Sequence, residues 1–254
     1  MKQLVHIVLC LLLVMPARMM AQDIAAMQKE AERLEASNQE EALRHYQEIL
    51  KLQPANINAL CKSSQLCSSI GHRQSAKSAQ LTYFNAARRF AGLALRLDPV
   101  SSEANFAMAL AMGRIALVTG GREKIEAVSD VKQYTERSLK SDPNSFKAWH
   151  VLGKWHYEVS NLSGLERTAA RLLYGGLPPA SLQDCIACYE KSRSLNPDFV
   201  LNYLELAKAY HRNNQDAKAI ELLNKLLVMN NKIQQDDARV KDEARKLLKD
   251  LSKK

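Results

Sequence analysis

The run "CIAC" places Cys185 and Cys188 three residues apart, the spacing at which a chain can hold a redox dithiol or contribute to a metal site. That chemistry needs a matching framework, because a thioredoxin-like dithiol follows a strand, and no strand pattern precedes Cys185. Cys61 and Cys67 are six apart, and on a helix their Cα atoms would lie ~9 Å from each other, beyond the reach of a disulfide. The four residues read as small buried side chains. A disulfide, or redox or metal chemistry, at Cys185 and Cys188 remains the alternative. The histidines, His6, His45, His72, His150, His156 and His211, form no H-E-x-x-H pair, and the chain carries no phosphate-binding loop, nucleophile elbow or dinucleotide fingerprint. Gly120 and Gly121 in "VTGGREK" read as a turn. No enzyme, metal or cofactor is expected.

The elements that could position side chains are helical. Among 254 residues there are 9 glycines, 7 prolines and 6% aromatics, while the abundant Ala, Leu, Lys, Glu, Gln and Arg are good helix formers. The first segment stands apart. "MKQLVHIVLCLLLVMPARMMAQ" has Lys2, an apolar run from Leu4 to Met15, and small residues before a cut after Ala21, the layout of a secretory signal peptide. The run is shorter than the ~20 residues of a spanning helix. Residues 1–21 are therefore expected to be a signal peptide and 22–254 one exported, periplasmic domain, with an uncleaved membrane anchor as the alternative. Without Lys2 and Arg18 the formal charge of +9 becomes +7, which favours anionic partners. Export makes nucleic acid the least fitting of these.

Four phrases recur: "ILKLQP" ending at Pro54, "ALRLDP" at Pro99, "SLKSDP" at Pro143 and "SRSLNP" at Pro197. Each closes an amphipathic run with Gln, Asp or Asn before a proline that cannot continue the helix. The intervals are 45, 44 and 54 residues, and a further pair closes near Asn231, 34 residues on. A period of 34 is that of the tetratricopeptide repeat, so the longer units read as the same unit with insertions. Counted from the third residue after each proline, the unit starting at Phe146 has Trp149, Leu152 and Gly153 at positions 4, 7 and 8. The unit starting at Val200 has Tyr203, Leu206, Ala207, Tyr210 and Ala219 at 4, 7, 8, 11 and 20; Ala42 and Tyr46 take 20 and 24 in the first unit. Small residues at 8 and 20 let the paired helices approach, and large ones fill the space between neighbours. The pattern predicts an all-α right-handed solenoid of about five helix pairs with an inserted short helix and a C-terminal capping helix. Its helices fall at 24–37, 40–52, 55–70, 75–97, 101–118, 123–141, 145–159, 163–174, 181–195, 198–213, 216–229 and 234–251.

The insertion is "SGLERTAARLLYGG". Ser163 with Glu166 makes an N-terminal capping pair, Leu165, Ala169, Leu172 and Leu173 form an apolar stripe, and Gly175 terminates. A packed helix with a buried stripe is expected, either as a brace over the repeat interface or as a lid over the concave groove. In such arrays the first helix of each pair lines that groove through positions 2, 5, 9, 12 and 13. The projection gives Lys147, His150, Lys154, Tyr157 and Glu158, then Lys208, His211 and Arg212, with Arg114 from the preceding unit. Positive charge gathered there favours carboxylates or phosphates through charge-assisted hydrogen bonds. A solvated basic face without a ligand is the alternative.

The stretch "LGKWHYEVSNLSGLERTAARLL", followed by "PPASLQDCIACYEKSRSLNPDF" and together running from Leu152 to Phe199, resembles the regulator of microtubule dynamics family of tetratricopeptide proteins, with its "GRWCYxVSxLSWLEKK" and "EDALxxFxKAxxLxPxF". Gly153, Trp155, Tyr157, Val159, Ser160, Leu162, Ser163, Leu165 and Glu166 match, whereas Gly164 stands in place of an aromatic and His156 in place of a Cys. The resemblance implies a non-enzymatic scaffold, and one branch of the family is linked to phospholipid handling. The expected partner is thus a protein or acidic peptide segment, with a phospholipid and a peripheral membrane contact as the alternative.

Overall fold

Each proline boundary sets the start of the next helix two or three residues later. Asn56, Ser101 and Ser145 each stand two residues after a proline and accept a hydrogen bond from the backbone N–H three residues on, at 3.0, 3.3 and 3.4 Å. At the fourth boundary that position is Phe199, which has no side-chain cap and packs edge-on against Phe146, with ring centroids 5.2 Å apart. Three starts are therefore capped by a hydrogen bond and the fourth is seated by an aromatic contact.

The computed structural model describes residues 23–229 and 237–253. The proposed signal segment, and residues 234–236 of the last expected helix, lie outside the described residues. Within them the chain is helical and turning: α1 (23–34), α2 (Gln39–Leu52), α3 (Ile57–Arg73), α4 (Lys77–Leu97), α5 (Ser102–Val118), α6 (Gly121–Ser141), α7 (Phe146–Ser160), α8 (Gly164–Tyr174), α9 (Leu182–Leu195), α10 (Val200–Arg212), α11 (Asp216–Val228) and α12 (Asp237–Leu251). The pairs are α1/α2, α3/α4, α5/α6, α7/α9 and α10/α11. Helix α8 interrupts the fourth pair, and α12 packs on both α10 and α11. First helices of successive pairs also touch, α3 with α5, α5 with α7, α7 with α10, which makes the array a solenoid.

The two middle units are long for a different reason from the one the spacing suggests. They contain no inserted element; their helices continue. Helices α3 and α5 have 17 residues and α4 and α6 have 21, against 13 each in α10 and α11. The extra turns bury Ile70 and Gly71 of α3, Ile115 and Ala116 of α5 and Ala127 of α6, so the added length extends the core. Among the described residues, only the fourth unit gains a separate helix.

Small residues set the closest approaches. Tyr189 of α9 lies flat against Gly153 of α7, where any Cβ would stand 2.7 Å from its ring. In the longer pair, a Cβ at Gly71 would meet Phe84 at the same 2.7 Å. Ser64 donates to the carbonyl of Ala87 at 2.9 Å, satisfying a buried hydroxyl where α3 meets α4. Cys61, Cys67, Cys185 and Cys188 are free and buried. Burial pushes all four thiols up to about 12, so they remain protonated and serve as small core residues.

Candidate functional site

Helices α7 and α10 are the first helices of neighbouring pairs, and the projected groove residues fall along their contact. At its centre is a carboxylate the projection did not include. Glu205 is buried, and its two oxygens accept from Lys154 at 2.8 Å and Lys208 at 2.7 Å. Burial alone would push this carboxyl up; the two ammonium groups outweigh it and hold it at about 2. Burial likewise pulls Lys154 down, yet Glu205 and Glu158 reverse the sign and raise it above the ordinary lysine value. Each lysine also meets an exposed acid: Lys154 pairs with Glu158 at 3.0 Å, and Lys208 with Glu243 of α12 at 2.7 Å.

The remaining projected residues divide into two groups. Tyr157 presents its ring to both Lys154 and Arg212, whose charged groups lie 5.4 and 5.1 Å from the centroid. Arg212 also donates to the Tyr157 carbonyl at 2.8 Å and to Ser160 Oγ at 3.2 Å, tying α10 to the end of α7. His211 is 2.6 Å from Asp216 at the start of α11. Lys147 lies further along, over the ring of Phe106 at 5.8 Å. Arg114 of α5 is half-buried and close enough to His150 to disfavour its protonation.

His150 does not face the groove. It is buried between Phe199 and Tyr189, with ring centroids at 4.9 and 5.3 Å, and its Nδ1 is 2.9 Å from Asn202 Oδ1. Asn202 donates its own amide to the Tyr189 carbonyl at 2.9 Å, which turns Oδ1 towards the histidine and makes Nδ1 the donor. Burial lowers the histidine pKa, so the ring is neutral and packs as a core residue. The projected positive charge is partly balanced: beside Glu158, which the projection included, Glu205, Glu243 and Asp216 are interleaved with the cations. The missed residues had a signal in "VLNYLELA", where Asn202 and Glu205 interrupt an otherwise apolar run. A polar group among leucines needs a partner across the interface.

Helix α8 differs from its expected form. Its ends are as anticipated: Ser163 Oγ accepts from Glu166 N at 3.2 Å, Glu166 accepts from Ser163 N at 2.7 Å, and Gly175 closes the helix at φ +79°. The apolar stripe, however, faces outwards, with Leu165, Leu172 and Leu173 exposed by 81, 78 and 67%. The helix is held from its other side, by buried Ala170 and by Arg167, which donates to the carbonyls of Ser160 at 2.9 Å and Leu162 at 3.1 Å. Between α8 and the segment that follows it is a cleft of about 250 Å³ lined by Val159, Leu162, Ala170, Leu177 and Pro178, with Arg171 at its edge. In α7, His156 is buried with its ring edge-on to Trp155, whose Nε1 donates to the Val128 carbonyl at 2.7 Å.

Among solved structures, a thermophilic TPR protein of Thermus thermophilus superposes with a TM-score of 0.66 at 15% identity, over 89% of this chain and 99% of that one, a likeness of fold. Regulator of microtubule dynamics protein 1 of Caenorhabditis elegans is 32% identical over 136 residues, which are 54% of this chain and 60% of that protein. Protein 3 of the same name from Xenopus laevis is 26% identical over 174 residues, 68% of this chain and 37% of the relative. The chain thus spans less than two thirds of either relative. Residues 27–252 match the family described as Regulator of microtubule dynamics protein 1-3, and the chain belongs to that family.

Proposed function

We propose that this protein is a scaffold that binds an acidic segment of a partner protein along the groove between α7 and α10. The fold and the family fit a protein-interaction role, and both are typical of non-enzymatic scaffolds. The observation that carries the finer reading is the pairing of Lys154 and Lys208 with one buried carboxylate, while the other carboxylate partner of each lysine lies at the surface. Exposed pairs are weak and exchange readily with an incoming anion. Affinity capture with the wild type and a Lys154→Gln variant, compared at a temperature where circular dichroism shows both fully folded, tests this. A partner retained only by the wild type is the expected result; identical captures, or none, overturn the reading. The proposal includes export, with residues 1–21 removed as a signal, and N-terminal sequencing of the mature chain checks it: a start at Gln22 is expected, and a start at Met1 favours a membrane anchor.

A second reading, a phospholipid-binding module, is favoured by the outward leucines of α8 and the cleft beneath it. An exposed apolar stripe with flanking arginines suits a lipid surface or a bound acyl chain. Native mass spectrometry of the purified protein discriminates: one co-purified phospholipid per chain supports this reading, and a bare chain that extracts nothing from liposomes sinks it.

A further inference from the structure

Lys154 and Lys208 are equivalent in a way that bears on what they bind. Each holds one buried carboxylate, the shared Glu205, and each holds one exposed carboxylate, Glu158 for Lys154 and Glu243 for Lys208. Glu205 stays in place, because it is buried and its leaving would take from both lysines the carboxylate they share. Glu158 and Glu243 have side chains 51 and 44% exposed and lose little by swinging into water. An ammonium has three donors, so each lysine can keep Glu205 while accepting a new partner.

The spacing follows from the same contacts. Both lysines hold oxygens of a single carboxylate, so their ammonium groups stand side by side rather than at opposite ends of the groove. In an extended segment, alternate residues point to the same face about 6.6 Å apart, two rises of a strand. That span matches two cations bridged by one carboxylate.

We propose that the groove recognises an extended segment with acidic side chains on alternate residues, and that it binds by displacing Glu158 from Lys154 and Glu243 from Lys208. The proposal rests on the protein-segment reading of this groove and adds the ligand's spacing and its internal competitors. Glu243 belongs to α12, which stays docked through Val240, Ala244 and Leu251 and through Lys241, whose ammonium reaches the carbonyls of Leu227 and Met229. Displacement therefore costs one surface contact and leaves the end of the array in place. The C-terminal helix tunes the affinity of a groove whose inner wall belongs to other helices.

The test uses fluorescence anisotropy with two labelled synthetic peptides, one containing Glu-Ser-Glu and one with the two glutamates separated by five serines. The wild type is expected to prefer Glu-Ser-Glu. Glu158→Gln and Glu243→Gln should each tighten that binding about threefold and together about tenfold, in line with the weakness of exposed pairs. Glu48→Gln, which removes a comparably exposed acid from its pair with Lys51 on α2, controls for net charge and should change nothing. Equal effects of the three substitutions, or equal affinity for the two peptides, overturn the proposal. If Glu-Ser-Glu binds and Lys154→Gln abolishes it while Glu158→Gln and Glu243→Gln do nothing, displacement falls and the groove reading stands. No binding by either the wild type or the double variant removes both.

Discussion

Units two and three and unit four all exceed the repeat length, but by opposite means. In α3 to α6 the chain lengthens its helices, and the added turns carry Ile70, Ile115, Ala116 and Ala127 into the core. In the fourth unit α7 and α9 keep ordinary lengths, 15 and 14 residues, and the extra chain becomes α8, which shows three leucines to solvent. The first kind of growth adds stability to the framework. The second adds surface, and leaves the contact between α7 and α9 unchanged.

Substitutions can break that contrast. The largest effect is expected for Phe84→Ala in the extended pair, about 4 kcal/mol in urea unfolding, because a buried aromatic is replaced by a cavity. Glu205→Ala should cost about 3 kcal/mol at neutral pH, since Lys154 and Lys208 lose the buried carboxylate they share and keep only the exposed Glu158 and Glu243. Its cost depends on pH in a defined direction. The Glu205 carboxyl is held below its ordinary value of 4.5, at about 2, so its stabilisation is complete above pH 4.5 and is lost as the pH falls towards 2. Wild type and variant should therefore converge in acid denaturation, and parallel curves would show that the network contributes nothing.

Gly153→Val tests the approach of α7 to α9. Its Cβ would stand 2.7 Å from the Tyr189 ring, and overpacking of about 2 kcal/mol is expected in thermal melts. Ser163→Ala removes the α8 cap and should cost about 1 kcal/mol, read as faster amide exchange confined to α8 with an unchanged global transition. Smallest of all, Leu172→Ser should change stability by less than about 0.5 kcal/mol, because this leucine is already in water. A loss comparable to that of Phe84→Ala would make α8 part of the core and dissolve the distinction between the two regions.

Helix order and boundaries were legible in the sequence because they depend on local signals. Proline boundaries, the Ser163 and Glu166 pair, and Gly175 each act within one turn, and the helices follow the anticipated order. The direction of the α8 stripe was not legible. Amphipathic spacing says which residues share a face, but which face turns inwards is settled by Arg167, which reaches back to the carbonyls of Ser160 and Leu162, and by the contact of α8 with the distant α6. The groove was half legible for the same reason. Repeat positions located Lys154, Lys208 and Arg212, whereas Glu205 and the burial of His150 arise across the interface of α7 and α10, where partners lie about fifty residues apart in sequence.

The flat contact of Tyr189 on Gly153 carries one more consequence. It registers α7 against α9 without reference to the chain that joins them, so the joining segment is topologically exchangeable. From Gly175 to Ser181, two left-handed glycines and the pair Pro178 and Pro179 run without helix. Closing a longer or shorter link changes the free energy only slowly, by about 0.6 kcal/mol per doubling of length. A chain nicked there would persist as one folded particle, its halves clasped by the α7 and α9 interface. Evolution, or a protein engineer, could substitute a different module at this point while the solenoid continued in register on either side.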